Sequence, residues 1–384
     1  MTNVEECFTV LVNNVVLGQK LPNNFIICNL TELYRLSKKH DMAHIVAYGL
    51  KENGLIDFNT ELWTKCYKKQ YSLAQFRVTN LQYEYEKVCQ VLECVGIDYI
   101  PLKGAVLRKL YPEPWMRVST DIDILVKPED LQSAEQHLIK ELNYTLEKGD
   151  EGYSHHDHLK TPSGFTIELH FILSEKNTKA TPYLNKVWEK ATLIIKNKHM
   201  YKLDDDMFYF YHVFHASVHF KSGGCGFRTI LDTWIINSKL GIDSEENNEM
   251  LAGAGLLKFA TQLEKIAKKW FDNSSETINP YIESFIFNGG LYGGTNKIVT
   301  EQAKTEGNSL KYYIKRIFPE YSFLCLRYKG LRGKPLLLPI YWVIRIFTIF
   351  MNDDSKRIRE EAILAWRKAN ESKKTKSMFD EIEL

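Results

Sequence analysis

Apolar residues fall into two different rhythms along this chain. From Trp63 to Val95 they recur at helical spacing, with Tyr67, Leu73, Phe76, Leu81, Tyr85, Val88, Val91 and Leu92 forming one stripe that Gly96 ends. Asp121-Ile122-Asp123-Ile124-Leu125-Val126 instead alternates with period two, the mark of a half-buried strand. Around it, the pattern predicts a short strand at Asp98–Leu102, a short helix at Ala105–Leu110 and an amphipathic helix at Glu129–Leu142. His155–Thr161 and Phe165–Leu173 read as two further strands joined by the turn-forming Pro162-Ser163-Gly164. After residue 176 helical spacing returns: Asp204-Asp205-Asp206 opens a helix over Met207–Phe220, and another spans Phe227–Lys239.

These elements predict an α+β fold. A small mixed-sheet core over 96–175 is flanked by a helical region over 1–95 and a helical domain over 176–371, with a frayed polar tail at 372–384. The apolar run Pro335–Met351 is broken by Pro339 and Arg345 and falls short of the roughly 20 residues of a membrane span, so it is expected to pack as a helix.

The alternating strand puts Asp121 and Asp123 on one face, opposite Ile122, Ile124 and Val126. Two carboxylates at that spacing repel each other, and a hard divalent cation with oxygen ligands relieves the repulsion. Taken alone, a D-x-D pair reads more simply as a solvated strand edge. Glu168 and His170 repeat the arrangement in a later strand, so Glu168 becomes a third carboxylate if the two strands are neighbours. Three carboxylates suffice for two Mg²⁺ ions that bridge phosphate oxygens.

Lys103 and Gly104 sit at a strand-to-helix junction, where glycine permits close backbone approach and lysine adds a point charge for an anion. Arg117 and Ser119 precede the aspartates and could contact phosphate as well.

Histidines add a second theme. If Pro162–Gly164 closes a hairpin, His158 opposes Glu168 and His156 opposes His170. His158 and His170 then either support the site or touch substrate, or simply form structural hydrogen bonds. His212, His215 and His219 share a helical face, yet the glutamate of H-E-x-x-H is absent, so packing is preferred to zinc. Arg228 and Asp232 read as an intrahelical pair. Asn288–Gly294 reads as a mobile glycine-rich loop with no Gly-Lys-Ser/Thr.

Charge and cysteine usage narrow the classes. Lys plus Arg number 50 against 48 acids, a formal net charge of +2, which gives no strong nucleic-acid signal. One local exception, 311–334, interleaves basic and aromatic residues and could hold RNA or anionic lipid, or be a solvated face. Seven cysteines include no C-x-x-C pair, arguing against a disulfide scaffold and for a reducing, cytoplasmic setting. The acidic start Met1–Glu6 does not read as a signal peptide.

The run L-K-G-A-V-L at 102–107, then R-V-S-T-D-I-D-I-L-V at 117–126 and I-E-L-H at 167–170, resembles the polymerase-β-type nucleotidyltransferase superfamily. It is most similar to the bacterial group of uncharacterised nucleotidyltransferases, and also to nucleotidyltransferase toxins of abortive-infection systems. The resemblance covers 97–173 specifically and the helical flanks only in layout. It implies that Asp121 and Asp123 bind metal and that Glu168 is a third ligand or the base acting on an acceptor hydroxyl. It also implies ATP or another nucleoside triphosphate as substrate, with pyrophosphate released. The family's Gly-Ser or Gly-Gly phosphate loop is replaced here by Lys103-Gly104-Ala105. The acceptor class stays open among a sugar, a small metabolite, a protein and an RNA end. A non-catalytic nucleotide-binding or adaptor protein, and metal-dependent phosphoryl transfer or phosphoester hydrolysis, are the alternatives on this scaffold.

Overall fold

The computed structural model describes residues 1–147, 156–174, 178–242, 244–291, 293–294, 296–297, 300, 318, 321, 324, 328–331, 333–351 and 369–384. The described chain divides into two compact units, one of Met1–Ser217 with Gly226–Asn279, the other of Val218–Cys225 with Pro280–Leu384.

Helices α1 (Asn3–Leu17), α2 (Leu30–Lys39), α3 (Ala43–Glu52) and the long α4 (Lys68–Val95) open the first unit. Thr2 and Glu5 cap α1 reciprocally, each side chain accepting a backbone N–H of the other residue. At the far end of α4, Gly96 takes the left-handed φ of +73° that a side chain would resist.

A five-stranded sheet follows, formed by β1 (Tyr99–Pro101), β2 (Asp121–Val126), β3 (Thr145–Glu147), β4 (His156–Lys160) and β5 (Thr166–His170). Its order is β1-β2-β5-β4-β3. Only β2 and β5 run parallel; the remaining neighbours are antiparallel. α5 (Lys103–Leu107) links β1 to β2, and α6 (Leu131–Leu142) follows β2. The predicted α+β architecture with a mixed sheet and helical flanks is what the chain forms.

One sheet face is apolar and covered. Ile122, Ile124 and Val126 of β2, Leu159 of β4, and Ile167 and Leu169 of β5 pack with Leu81, Tyr85, Val88 and Leu92 of α4 and with Ala134 and Leu138 of α6. Each of the larger aliphatic side chains contributes about 1.5–3 kcal/mol through burial. The period-two alternation then dictates that Asp121, Asp123, Glu168 and His170 emerge together on the opposite face. Glu84, inside α4, accepts hydrogen bonds from Tyr144 (2.6 Å) and Ser163 (2.7 Å), tying the β4–β5 turn to the covering helix.

The expected α4 stripe holds from Leu81 onward, but Leu73 and Phe76 are exposed while Ala74 and Val78 are buried. The 3-4 spacing of Ala74, Val78, Leu81, Tyr85, Val88 and Leu92 is regular, and the bulkier neighbours masked it.

Beyond the sheet come α7 (Thr181–Leu184), a two-stranded ribbon of β6 (Ala191–Leu193) and β7 (Tyr201–Leu203), then α8 (Asp205–Lys221), α9 (Gly226–Leu240), α10 (Glu245–Gly253) and α11 (Leu257–Phe271). The ribbon has no counterpart in the sequence reading. Phe8 of α1, Phe227 of α9 and Trp270 of α11 join in one aromatic cluster, with the Phe227 and Trp270 rings stacked 4.8 Å apart. The N-terminal helix α1 and helices α9 and α11 thus share a core.

In the second unit, α12 (Pro280–Gly289) ends in the glycine-rich stretch. That stretch packs backbone on backbone: a Cβ on Gly224 would lie 2.8 Å from Gly290 O and from Gly293. Close packing, rather than the expected loop role, explains its glycines. Within the apolar run, Pro335–Leu337 form a 3₁₀ turn and Leu338–Met351 an α-helix. Leu336, Ile340, Val343 and Ile344 are exposed, contrary to the expected packed helix. Fourteen residues span only about 21 Å, and among the described residues no helix is long and apolar enough to cross a membrane. The expected polar tail is instead a helix, Ala369–Glu381, because Met378, Phe379 and Ile382 supply buried anchors. Most of the basic, aromatic stretch 311–334 lies outside the described residues.

Candidate functional site

Parallel pairing of β2 with β5 sets Asp123 directly opposite Glu168 and Asp121 opposite Thr166. The β4–β5 hairpin has the expected register, with His158 opposite Glu168 and His156 opposite His170. Five polar side chains therefore line adjoining positions on the sheet face opposite α4 and α6, and Asp121 extends the row along β2.

Lys103 enters this row from the end of β1. Its Nζ lies 2.6 Å from Asp123 Oδ1 and 3.6 Å from Glu168 Oε2. The backbone there is left-handed, with φ of +41° at a residue that carries a side chain. Such a conformation costs about 1–2 kcal/mol outside glycine, and the ion pair offsets it. Lys103 thus keeps a glycine-type turn while its ammonium reaches back between the two carboxylates.

His170 is fully buried and places Nε2 3.1 Å from Asp123 Oδ1 and 3.4 Å from Glu168 Oε2. Burial opposes its protonation, but its hydrogen bonds to Asp123 and Glu168 outweigh that effect and raise its pKa. Burial likewise opposes charge on Asp123, yet Lys103 and His170 together hold its carboxyl well below the usual range. Asp121 behaves oppositely: burial first, then the charges of Asp123 and Glu168, push it up to about 6. Tyr211 of α8, a residue the sequence reading passed over, is buried and feels Lys103, Asp123 and Glu168; burial chiefly lifts its hydroxyl to about 12. No pattern in the sequence pointed to it, since Tyr211 lies far along the chain from Lys103 and Asp123.

Among the described residues, two groups of potential metal ligands have all their ligand atoms within 4.8 Å of one another: Asp123, Glu168 and His170, and His156, His158 and Glu168. Asp121 belongs to neither group. A cation fits the first group on chemical grounds, because a positive ammonium already sits between its carboxylates. His156 and His158 approach each other to 2.7 Å between their Nε2 atoms. Burial and the neighbouring His170 lower the pKa of His156 to about 4.

Arg117 and Ser119 take partners other than the carboxylate side chains of this row. Buried Arg117 donates from Nε to both oxygens of Asp232, at 2.9 and 3.1 Å, and from Nη1 to Val118 O. Tyr111 donates to the same aspartate at 2.7 Å. A buried guanidinium needs a carboxylate partner, and Asp232 on α9 provides it. Arg228, expected to pair with Asp232, instead reaches Asp41 at 3.1 Å and Val118 O at 2.9 Å.

Ser119 accepts from Arg108 at 2.9 Å and donates to Asp121 O at 3.0 Å, bracing the start of β2. A Cβ on Gly104 would lie 3.1 Å from Ser119 Oγ, so this glycine admits Ser119 and Arg108 at close range. His212 hydrogen-bonds Thr233 of α9 at 2.9 Å.

Residues 29–272, more than half of the chain, match the sequence model of the uncharacterised nucleotidyltransferase family. The chain belongs to that family. The match encloses the entire sheet, α5 and the helices α8 and α9 that flank the site residues. No curated protein and no solved structure gives a significant match. Membership supports nucleotidyl transfer as the general activity, and it agrees with the carboxylate-lined face.

Proposed function

We propose that this chain is a Mg²⁺-dependent nucleotidyltransferase that moves a nucleoside monophosphate from a nucleoside triphosphate to an acceptor hydroxyl. The observation that carries the reading is the opposition of Asp123 and Glu168 across parallel strands with a cation, the Lys103 ammonium, held between them.

Asp123 and Glu168 would hold the metal through hard oxygen donors, with Asp121 beside them on the same strand face. When bound, Mg²⁺ would neutralise triphosphate charge and favour the in-line displacement that releases pyrophosphate. Lys103 has a long side chain, so its ammonium can leave Asp123 for a phosphate oxygen of the substrate. His170 fixes both carboxylates from below through Nε2. Arg117, Ser119 and Gly104 support the loop that aims Asp121 and Lys103, instead of contacting phosphate. One lysine already supplies positive charge here, so we favour a single metal ion plus Lys103 over two ions.

Isothermal titration of ATP, GTP, CTP and UTP with and without Mg²⁺ tests this assignment. Wild type should bind at least one of them in a Mg²⁺-dependent manner, and Asp123→Asn should lose that dependence. Equal metal-dependent binding by both proteins contradicts the metal-site assignment. The close Lys103–Asp123 pair also favours a second reading, a nucleotide-binding scaffold in which lysine permanently replaces the metal. That reading predicts nucleotide binding indifferent to Mg²⁺.

A further inference from the structure

His156 and His158 occupy alternate positions of β4, and β5 places Glu168 directly across from His158. Their rings converge: centroids are 4.6 Å apart and the two Nε2 atoms are 2.7 Å apart. One Glu168 oxygen completes a group whose ligand atoms all lie within 4.8 Å. All three side chains are half-buried, so an ion among them would keep an open coordination position toward solvent.

We infer that His156, His158 and Glu168 form a binding site for a borderline first-row divalent cation such as Zn²⁺, distinct from the carboxylate site at Asp123. Two imidazoles with one carboxylate select Zn²⁺, Co²⁺ or Ni²⁺ over Mg²⁺, which prefers an all-oxygen shell. Zinc–nitrogen bonds of about 2.0–2.1 Å put two tetrahedral ligands about 3.3 Å apart. The present 2.7 Å separation therefore needs only a slight opening of two partly exposed rings. The strands hold the rest: ligands at i and i+2 on one strand and across the ladder on the next cannot drift apart without breaking the hairpin. His170 packs against His156 with the rings tilted and their centroids 4.8 Å apart, and its Nε2 meets Glu168. It thereby restrains two of the three ligands from behind. The inference goes beyond nucleotidyl transfer and stands without it, although Glu168 is shared by both sites.

The test is Co²⁺ titration of untagged, metal-stripped full-length protein, followed by visible absorption. Zn²⁺ calorimetry provides the stoichiometry. One ion per chain is expected, with the absorption band of a low-coordinate Co²⁺ site. His158→Ala should weaken binding by about tenfold or more, since losing even an outer partner of a ligand costs that much. Asp123→Asn should keep the band while losing Mg²⁺-dependent nucleotide binding, so failure of one site is read separately from failure of the other. The wild-type protein gives a readout that needs no variant: imidazole NMR signals of His156 and His158 should shift on Zn²⁺ addition and not on Mg²⁺. Absence of the band and of the shifts would overturn the site, leaving a hydrogen-bonded imidazole pair. A band lost in Asp123→Asn and retained in His158→Ala would also overturn it, moving the ion to the Asp123, Glu168 and His170 group.

Discussion

The Lys103 ammonium lies 2.6 Å from Asp123 Oδ1, in the notch where Asp123 faces Glu168 across β2 and β5. It occupies the position that a cation bridging the two carboxylates would take. Lys103→Met should therefore raise the Mg²⁺ affinity of the nucleotide-free protein, because no bound charge has to be displaced. The same change should lower turnover by about 10²-fold or more, the usual loss when a group stabilising transition-state charge is removed. Calorimetry of Mg²⁺ alone checks the first half, and unchanged affinity would place the ammonium outside the ion's position.

Arg117 and Tyr111 both depend on Asp232 inside the first unit. Asp232→Ala strands a buried guanidinium, and the expected loss is about 3–5 kcal/mol in urea unfolding. A loss below about 1 kcal/mol, the scale of an exposed pair, would restore Arg117 as a candidate phosphate ligand.

Acid should weaken the fold through buried histidines. Burial, foremost, lowers His44 to about 4 from an ordinary 6.5, and it does the same to His212. The unfolded chain takes up these protons first, so their stabilising contribution is complete above about pH 6.5 and is lost as pH falls toward 4. Each buried histidine contributes at most about 3 kcal/mol over that window. Urea midpoints across it should fall steeply for wild type and less steeply for His44→Gln. Identical slopes would show that His44 protonates alike in both states.

Two glycines with positive φ should respond differently to alanine. Gly18 (φ +67°) has open space where a Cβ would go, whereas a Cβ on Gly223 (φ +107°) would lie 2.6 Å from Lys297 N. Gly18→Ala should cost about 1 kcal/mol from backbone strain alone, and Gly223→Ala clearly more. Thermal melts of the two variants decide this, and equal shifts would contradict the packing at Gly223.

Period-two alternation made the sheet face legible from sequence, because β2 and β5 each bury one side and expose the other. The β4–β5 register was equally legible once Pro162–Gly164 was taken as the turn. Long-range partners were not: Asp232 lies over a hundred residues from Arg117, and only the folded helix α9 brings its charge to a guanidinium that local pattern assigned to phosphate. Lys103, read as a phosphate ligand, was not seen to pair with Asp123 as well. Its side-chain direction follows from a positive φ, which residue type alone does not announce. The strands β3, β6 and β7, of three residues each, went unread.

The most direct test of the central claim follows the phosphates of a nucleoside triphosphate labelled at the α and γ positions, incubated with Mg²⁺, protein and cell extract as acceptor source. Wild type should release pyrophosphate and leave the α label on an acceptor, while Asp123→Asn and Glu168→Gln should do neither. Release of the γ label as orthophosphate, or transfer that survives in both variants, would contradict nucleotidyl transfer at this carboxylate face.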